Sequence, residues 1–290
     1  MAGTTIGLCG AVCAGSFGFS LTSTEFAKIT AGSLIIGDST NGNITVEGVT
    51  TTIFDVTLNA TNSAGRSVTF NTGTSNFQGL TVNASNGILL SAGVTTQGIT
   101  SFNSDTDAET NIGGDFTLAA SQVLNTTNNT LSITANDLAL GGGSSISSGT
   151  AGTTLLAAKS GRTIGLESGA GDFAISNIEL GLITAASLTI GNSSNGTITV
   201  GGVTSLTTPL TLNATSTGSA VNFATAASTG LGSLTINAGT GGVDFGVDVA
   251  TTGSLTVNSD AAIAGAGILA VTGTASFNTT GTSNATVVSN

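Results

Sequence analysis

The sequence predicts an all-β protein, a parallel β-solenoid (β-helix) in which the chain completes one circuit about every 22 residues. Three observations predict it. Short apolar pairs at i and i+2 recur along the chain. A long block repeats at an offset of 154 residues. The side chains are small, with 43 Gly, 1 Pro and neither Trp nor Tyr among 290 residues.

The pairs come first. In the first half they are Leu34/Ile36, Ile44/Val46, Val56/Leu58, Val68/Phe70 and Leu80/Val82, with first members 10, 12, 12 and 12 residues apart. The second half gives Leu188/Ile190, Ile198/Val200, Leu210/Leu212, Val221/Phe223, Leu234/Ile236, Val243/Phe245 and Leu255/Val257. An apolar residue on either side of a polar or small one describes a half-buried strand. Gly, Asn, Ser and Asp fill the intervals, as turns require. No window sustains the i, i+3, i+4, i+7 spacing of a helix. Two strands per ~22 residues are too short for hairpins to alternate around a sandwich core, but they suit a stacked coil. At that beat the chain makes about 13 coils, with like side chains about 4.8 Å apart along the axis.

The repeat comes second. Residues 25–50 read EFAKITAGSLIIGDSTNGNITVEGVT and residues 179–204 read ELGLITAASLTIGNSSNGTITVGGVT. From Ile29 and Ile183 onward, 16 of 22 positions are identical. The match extends to Thr5–Leu8 against Thr163–Leu166, at an offset of 158, and to Leu80–Ala84 against Leu234–Ala238, at 154 again. Residues 1–290 therefore read as a single continuous solenoid with a long internal repeat, 5–87 and 163–241. The 154-residue offset equals seven even circuits of 22. Phe70 and Phe223 are equivalent positions and are expected in the core. Glu25 and Glu179 are also equivalent, and a repeated charge ahead of an apolar run reads as a turn or helix cap.

Asn closes strand after strand: Asn59, Asn71, Asn83, Asn103, Asn213, Asn237, Asn258 and Asn278. Two readings stand side by side. Stacked amides can bond from coil to coil, or Asn can simply end strands at exposed turns. Asn59, Asn83, Asn213 and Asn237 are the structural candidates.

Composition excludes several functions. Four basic residues against 15 acidic ones cannot form an electrostatic footprint on nucleic acid. Without histidine there is no imidazole base and no His-anchored zinc site. No run of about 18 apolar residues is present, so no transmembrane segment is expected. Cys9 and Cys13 lack the partners of a metal site; they read as small incidental thiols, with a local disulfide as the alternative. Asp105-Thr106-Asp107-Ala108-Glu109 is the densest acidic run, but it lacks the spacing of a calcium loop and reads as a solvated turn. Residues 241–245 match a calcium-binding nonapeptide repeat only in part. Lys28, Arg66, Lys159 and Arg162 do not group with the scattered acids as a polysaccharide-cleaving site requires. No catalytic, metal or cofactor residues are assigned, and the chain is not expected to be an enzyme. Thr-rich stretches at 50–52, 95–96, 153–154 and 207–208 raise ice binding, yet they lie out of register with one another.

Gly161-Arg162-Thr163-Ile164-Gly165-Leu166, followed by Glu179-Leu180, Ile183-Thr184-Ala185, Leu188, Ile190-Gly191 and 196–200 (GTITV), resembles repeats of filamentous-haemagglutinin-like bacterial exoproteins. These include two-partner secretion adhesins and autotransporter passengers. The resemblance implies a right-handed parallel β-helix, export, and a role in adhesion, biofilm or surface structure. Met1–Ser20 carries no Lys or Arg, and Gly interrupts its apolar stretch, so it does not read as a signal peptide. The chain is accordingly expected to be an internal piece of a larger secreted protein. The resulting expectation is a non-enzymatic structural or adhesive segment at the outer surface of a bacterium. Its partners would be itself, stacked end to end into fibres, or surface glycans and proteins. A glycan- or ice-binding module is the alternative, and a polysaccharide-processing enzyme a distant one.

Overall fold

A computed structural model describes residues 3–108 and 113–280. Its strands are stacked in parallel as a β-solenoid of about 11 turns, roughly 22 residues apart, with two helical turns, Ser23–Phe26 and Asn177–Gly181. The chain divides into two compact units: residues 1–153 with 182–185, and residues 154–181 with 186–290.

In the first unit each full coil has three strands, one per face. One face runs, in spatial order, through Phe19–Thr22, Ile6–Cys9, Ile44–Glu47, Val68–Thr72, Ile88–Leu90, Phe116–Leu118 and Leu138–Leu140. A second contains Thr50–Thr51, Ser75–Phe77, Val94–Thr96, Val123–Asn125, Ser145–Ser147 and Ile183–Thr184. The third contains Ser33–Asp38, Asp55–Ala60, Leu80–Ala84, Thr100–Asn103 and Leu131–Ala135. Register is strict where the sequence pairs are strict: Val56 lies against Leu80, Leu58 against Val82, and Asn59 against Asn83. The second unit repeats the plan. Its third face carries Ser187–Asn192, Leu210–Ala214, Leu234–Ala238, Leu255–Ser259 and Ala275–Thr279. The pattern Leu-Thr-Ile-Asn-Ala of 234–238 alternates buried, half-buried, buried, half-buried, buried. A one-residue slip would turn every leucine to water, and this fixes the register.

The apolar columns fill a narrow interior. Phe70 and Phe223 both lie there, 0% and 1% exposed. Phe70 meets Phe77 edge-on, with centroids 6.3 Å apart, and Phe223 stacks on Phe245 at 5.1 Å. Tight corners are made by glycine where nothing larger fits. Gly37 and Gly191 have φ of +83° and +82°, and a Cβ there would meet the Asn59 and Asn213 carbonyl oxygens at 2.2 and 2.3 Å.

The beat is less even than the sequence suggests. Six strands of the third-face type, from Ser33–Asp38 to Gly152–Ala157, precede Ser187–Asn192 along the chain. The 154-residue offset therefore spans six circuits, not seven. The surplus goes into an excursion in which Ile164–Glu167, Phe173–Ile175 and Asn177–Gly181 add an extra strand to one face. Ile6–Cys9, Phe19–Thr22 and Ser23–Phe26 make the same excursion in the first unit.

Both repeated glutamates are caps. Glu25 Oε2 accepts the Thr22 N–H at 2.7 Å and the Thr22 hydroxyl at 2.9 Å, closing a capping box. Glu179 Oε2 does the same for Ser176, at 2.9 and 2.8 Å. The Thr22 backbone and hydroxyl bonds hold the Glu25 carboxyl below its ordinary pKa. The sign follows. A depressed folded pKa contributes stability above the unfolded value and loses it as pH falls through the folded one. Amide exchange at Phe19–Phe26 is expected to accelerate as pH drops below the carboxylate range, beyond the intrinsic pH dependence. Glu25→Gln should flatten that rise.

Candidate functional site

The sheet that buries leucine inward turns threonine and asparagine outward. In the second unit the Asn column becomes a bonded chain. The Nδ2 of Asn237 donates to Asn213 Oδ1 at 2.6 Å, Asn258 to Asn237 at 2.8 Å, and Asn278 to Asn258 at 2.9 Å. Among the described residues the first unit has one such rung, with Asn83 donating to Asn59 at 2.8 Å. Every amide points the same way because in-register parallel strands repeat by translation alone. Aligned amide dipoles polarise one another. Each inner amide still keeps one N–H and one oxygen lone pair for a further partner.

This column lines an open groove of about 500 Å³, walled by Asn192, Ser193, Thr215, Ser259, Asp260 and Thr280. Asp260 is its single charged wall residue, and Oδ1 accepts the Thr280 hydroxyl at 2.7 Å. Beside the amides runs a second outward column. Thr211 lies against Thr235 and Thr235 against Thr256, ending at Ser276. It sits two residues from the Asn column along each strand, about 6.8 Å away. This face can therefore offer alternating donors and acceptors to a neutral, hydroxyl-rich ligand.

The two readings of the strand-end asparagines divide the list between them. Asn59, Asn83, Asn213, Asn237, Asn258 and Asn278 form rungs. Asn103 turns its Oδ1 to the Asp105 N–H at 3.3 Å, and Asn71 is exposed at a strand end. Sequence reasoning missed the deepest asparagines, Asn41 and Asn195, which are 7% and 1% exposed. Asn195 Oδ1 accepts the Asn192 N–H at 2.5 Å, and its Nδ2 donates to Gly196 O at 2.7 Å. Asn41 makes the same pair of bonds, with Asp38 and Gly42. The signal was present: Asn-Gly stands at equivalent positions in both repeats, 41–42 and 195–196.

The threonine clusters singled out from sequence do not form a surface ladder. Thr51, Thr96 and Thr153 point inward, 4%, 0% and 1% exposed. Thr96 shares a 2.6 Å bond with Thr100, and Thr153 a 2.8 Å bond with Ser148. The regular hydroxyl column is the other one, alongside the amides.

Cys9 and Cys13 are joined as a disulfide. Among the described residues, their sulfurs and the Glu47 carboxylate form a group within 4.8 Å. Disulfide sulfurs are poor metal donors, and Glu47 Oε2 already accepts the Ala14 N–H at 2.8 Å. The disulfide and Glu47 therefore tie down one turn. In the acidic run Asp105 is buried and Asp107 half-buried, while Glu109 lies outside the described residues. Asp244 is exposed on Gly242–Phe245. Arg162 Nη2 donates to the Asp172 carbonyl at 2.9 Å.

No family model, curated protein or solved structure matches the chain. Fold and site together define a class, that of β-solenoid repeat proteins with an amide ladder along one face.

Proposed function

We propose that the chain is a non-enzymatic structural segment of an exported bacterial surface protein, of the filamentous-haemagglutinin-like kind its repeats resemble. The observation that carries this reading is the Asn ladder. It ties coil to coil along one face, which suits a segment whose task is to hold an extended shape. The Cys9–Cys13 disulfide supports export, since such bonds persist in oxidising compartments. End-to-end stacking into extracellular fibres belongs to the same reading. Adhesion would then come from the surface the solenoid displays. Antibodies raised against the chain are expected to label intact, unpermeabilised cells or the culture medium. Signal confined to the cytoplasm would sink the proposal.

The groove along the Asn column favours a second reading, a module that binds neutral glycans. Its chemistry is amide and hydroxyl with one carboxylate, without an aromatic platform. Binding on a glycan array that is lost in Asn258→Leu would support it. Silence across neutral glycans would remove it.

A further inference from the structure

We propose that the reduced chain holds a borderline-soft divalent cation, zinc or cadmium, between Cys9 Sγ, Cys13 Sγ and a carboxylate oxygen of Glu47. The disulfide is the closed state of the same site. The inference goes beyond the structural reading above and does not depend on it.

Cys9 ends the strand Ile6–Cys9 and lies in register with Glu47 of Ile44–Glu47. In-register parallel neighbours share a face, so the two side chains emerge side by side. Ile6 and Leu8 turn into the core, which turns Gly7 and Cys9 outward. All four are nevertheless buried, because residues 10–18 fold back over them. A Cβ on Gly7 would meet the Phe17 ring at 2.1 Å. The same segment brings Cys13 to Cys9 and the Ala14 N–H to Glu47. The three ligand atoms lie within 4.8 Å of one another. Glu47 is the partner that sequence spacing did not show. It is 9% exposed, and among the described residues its carboxylate accepts one hydrogen bond, on Oε2, and pairs with no cation. A buried carboxylate without a counter-charge is costly, and a bound cation would supply one.

The second module shows that the fold does not need this group. Its Glu167 stands where the first has Cys9, and its Gly201 where the first has Glu47, again in register with each other. It makes the same excursion, with Phe173 beside Ile164 as Phe19 is beside Ile6. The connecting segment there is 168–172, four residues shorter than 10–18 and without cysteine. Glu167 is exposed and accepts the Asn177 N–H at 2.6 Å. Two cysteines and a buried carboxylate are therefore an addition to the first module, brought together by a longer loop and one register pair.

Two thiolates and one carboxylate suit zinc or cadmium rather than calcium or magnesium, which take oxygen ligands. In a tetrahedral zinc site neighbouring ligand atoms lie about 3.6–3.8 Å apart, and water can take the fourth position. The Cys9 and Cys13 Cα atoms are 5.0 Å apart, so side-chain rotation alone can set the sulfurs at that spacing. Opening the site is a two-electron step. A dithiol gives up two electrons and two protons and becomes a disulfide; the Cys9–Cys13 bond breaks and each sulfur becomes a thiol. Cys13 is the sulfur a reductant can reach, being half-buried where Cys9 is 0% exposed. The cation then displaces both thiol protons to water. Residues 10–18 are thus tied to the strand in either state, by a sulfur–sulfur bond or through the cation.

The test is cadmium titration of the full chain, whose two cysteines and lack of Trp and Tyr leave a clear ultraviolet window. The chain is first reduced with a phosphine, which ends as its oxide: water supplies the oxygen, and its two hydrogens go to the two thiols. After the phosphine is removed, cadmium should raise a thiolate-to-metal absorption band that saturates at one equivalent, with two protons released per cation at neutral pH. Oxidised protein should raise no band. Glu47→Gln keeps both thiols and should bind about tenfold more weakly or worse. If that variant loses the wild-type far-UV circular dichroism, Glu47→Gly replaces it, carrying the residue the second module has there. Zinc-edge X-ray absorption of the reduced wild type should show two sulfurs and two lighter ligands. Reduced wild type without the band, a folded Glu47 variant that binds as tightly as wild type, or a four-sulfur shell from two copies sharing one cation would each overturn the proposal.

Discussion

Phe223→Ala is expected to lower the stability of the second unit by about 3–5 kcal/mol, the usual cost of emptying a buried phenylalanine site. Phe223 is 1% exposed and lies in register with Val200 on one side and Phe245 on the other. The ring stack at 5.1 Å would be lost together with the buried area. Relaxation cannot easily fill the gap, because the ladder bonds above and below hold the coils at strand spacing. The chain has no Trp or Tyr, so urea unfolding should be followed by far-UV circular dichroism. Phe277→Ala is the control: its ring is only half-buried, so its loss should cost much less. Equal effects of the two substitutions would argue against a close-packed interior at Phe223.

The second large effect is expected from Asn237→Asp, a change of one group with almost no change of shape. It replaces the Nδ2 that donates to Asn213 Oδ1 with a charged oxygen facing that acceptor. It leaves intact the acceptor that takes Asn258 Nδ2. A lost bond plus an unsatisfied partner amounts to about 1–3 kcal/mol at neutral pH. The sign with pH is diagnostic. Once protonated, the Asp carboxyl can donate again, so the deficit relative to wild type should shrink as pH falls through the carboxyl range. Urea midpoints of both proteins measured across that range would show it. A deficit that does not change with pH would mean that the rung is not the donor relation described. Asn71→Asp, at an exposed strand end, should be nearly silent.

These two positions show how differently the features could be read from sequence. Phe223 follows from simple equivalence with Phe70, because a repeated aromatic in an i, i+2 pair has few places to go except inward. Asn237 fits a ladder and a turn equally well in sequence. Both readings put Asn after the last inward residue, and only the register of neighbouring coils decides between them. The ladder needs coils whose Asn residues coincide after 24, 21 and 20 residues. Uneven loop lengths conceal that coincidence in one dimension. The threonines show the converse. Adjacent Thr pairs are conspicuous in sequence, but Thr51, Thr96 and Thr153 turn inward, and Thr207 and Thr208 lie outside any strand. The true outward column, Thr211, Thr235 and Thr256, is spread singly through the chain.

The amino-acid sequence by itself determined the class of fold, the inward direction of the paired apolar side chains and the existence of two equivalent modules. Period-two alternation and self-similarity can be read along the chain, and they survive in a string of letters. Tertiary structure alone decided how many circuits separate the modules, which asparagines touch, and which of two near-identical strands has a neighbour on both sides among the described residues. Those depend on what lies one turn away, and hydrogen-bond pairing between coils is set by spatial stacking rather than by distance along the chain.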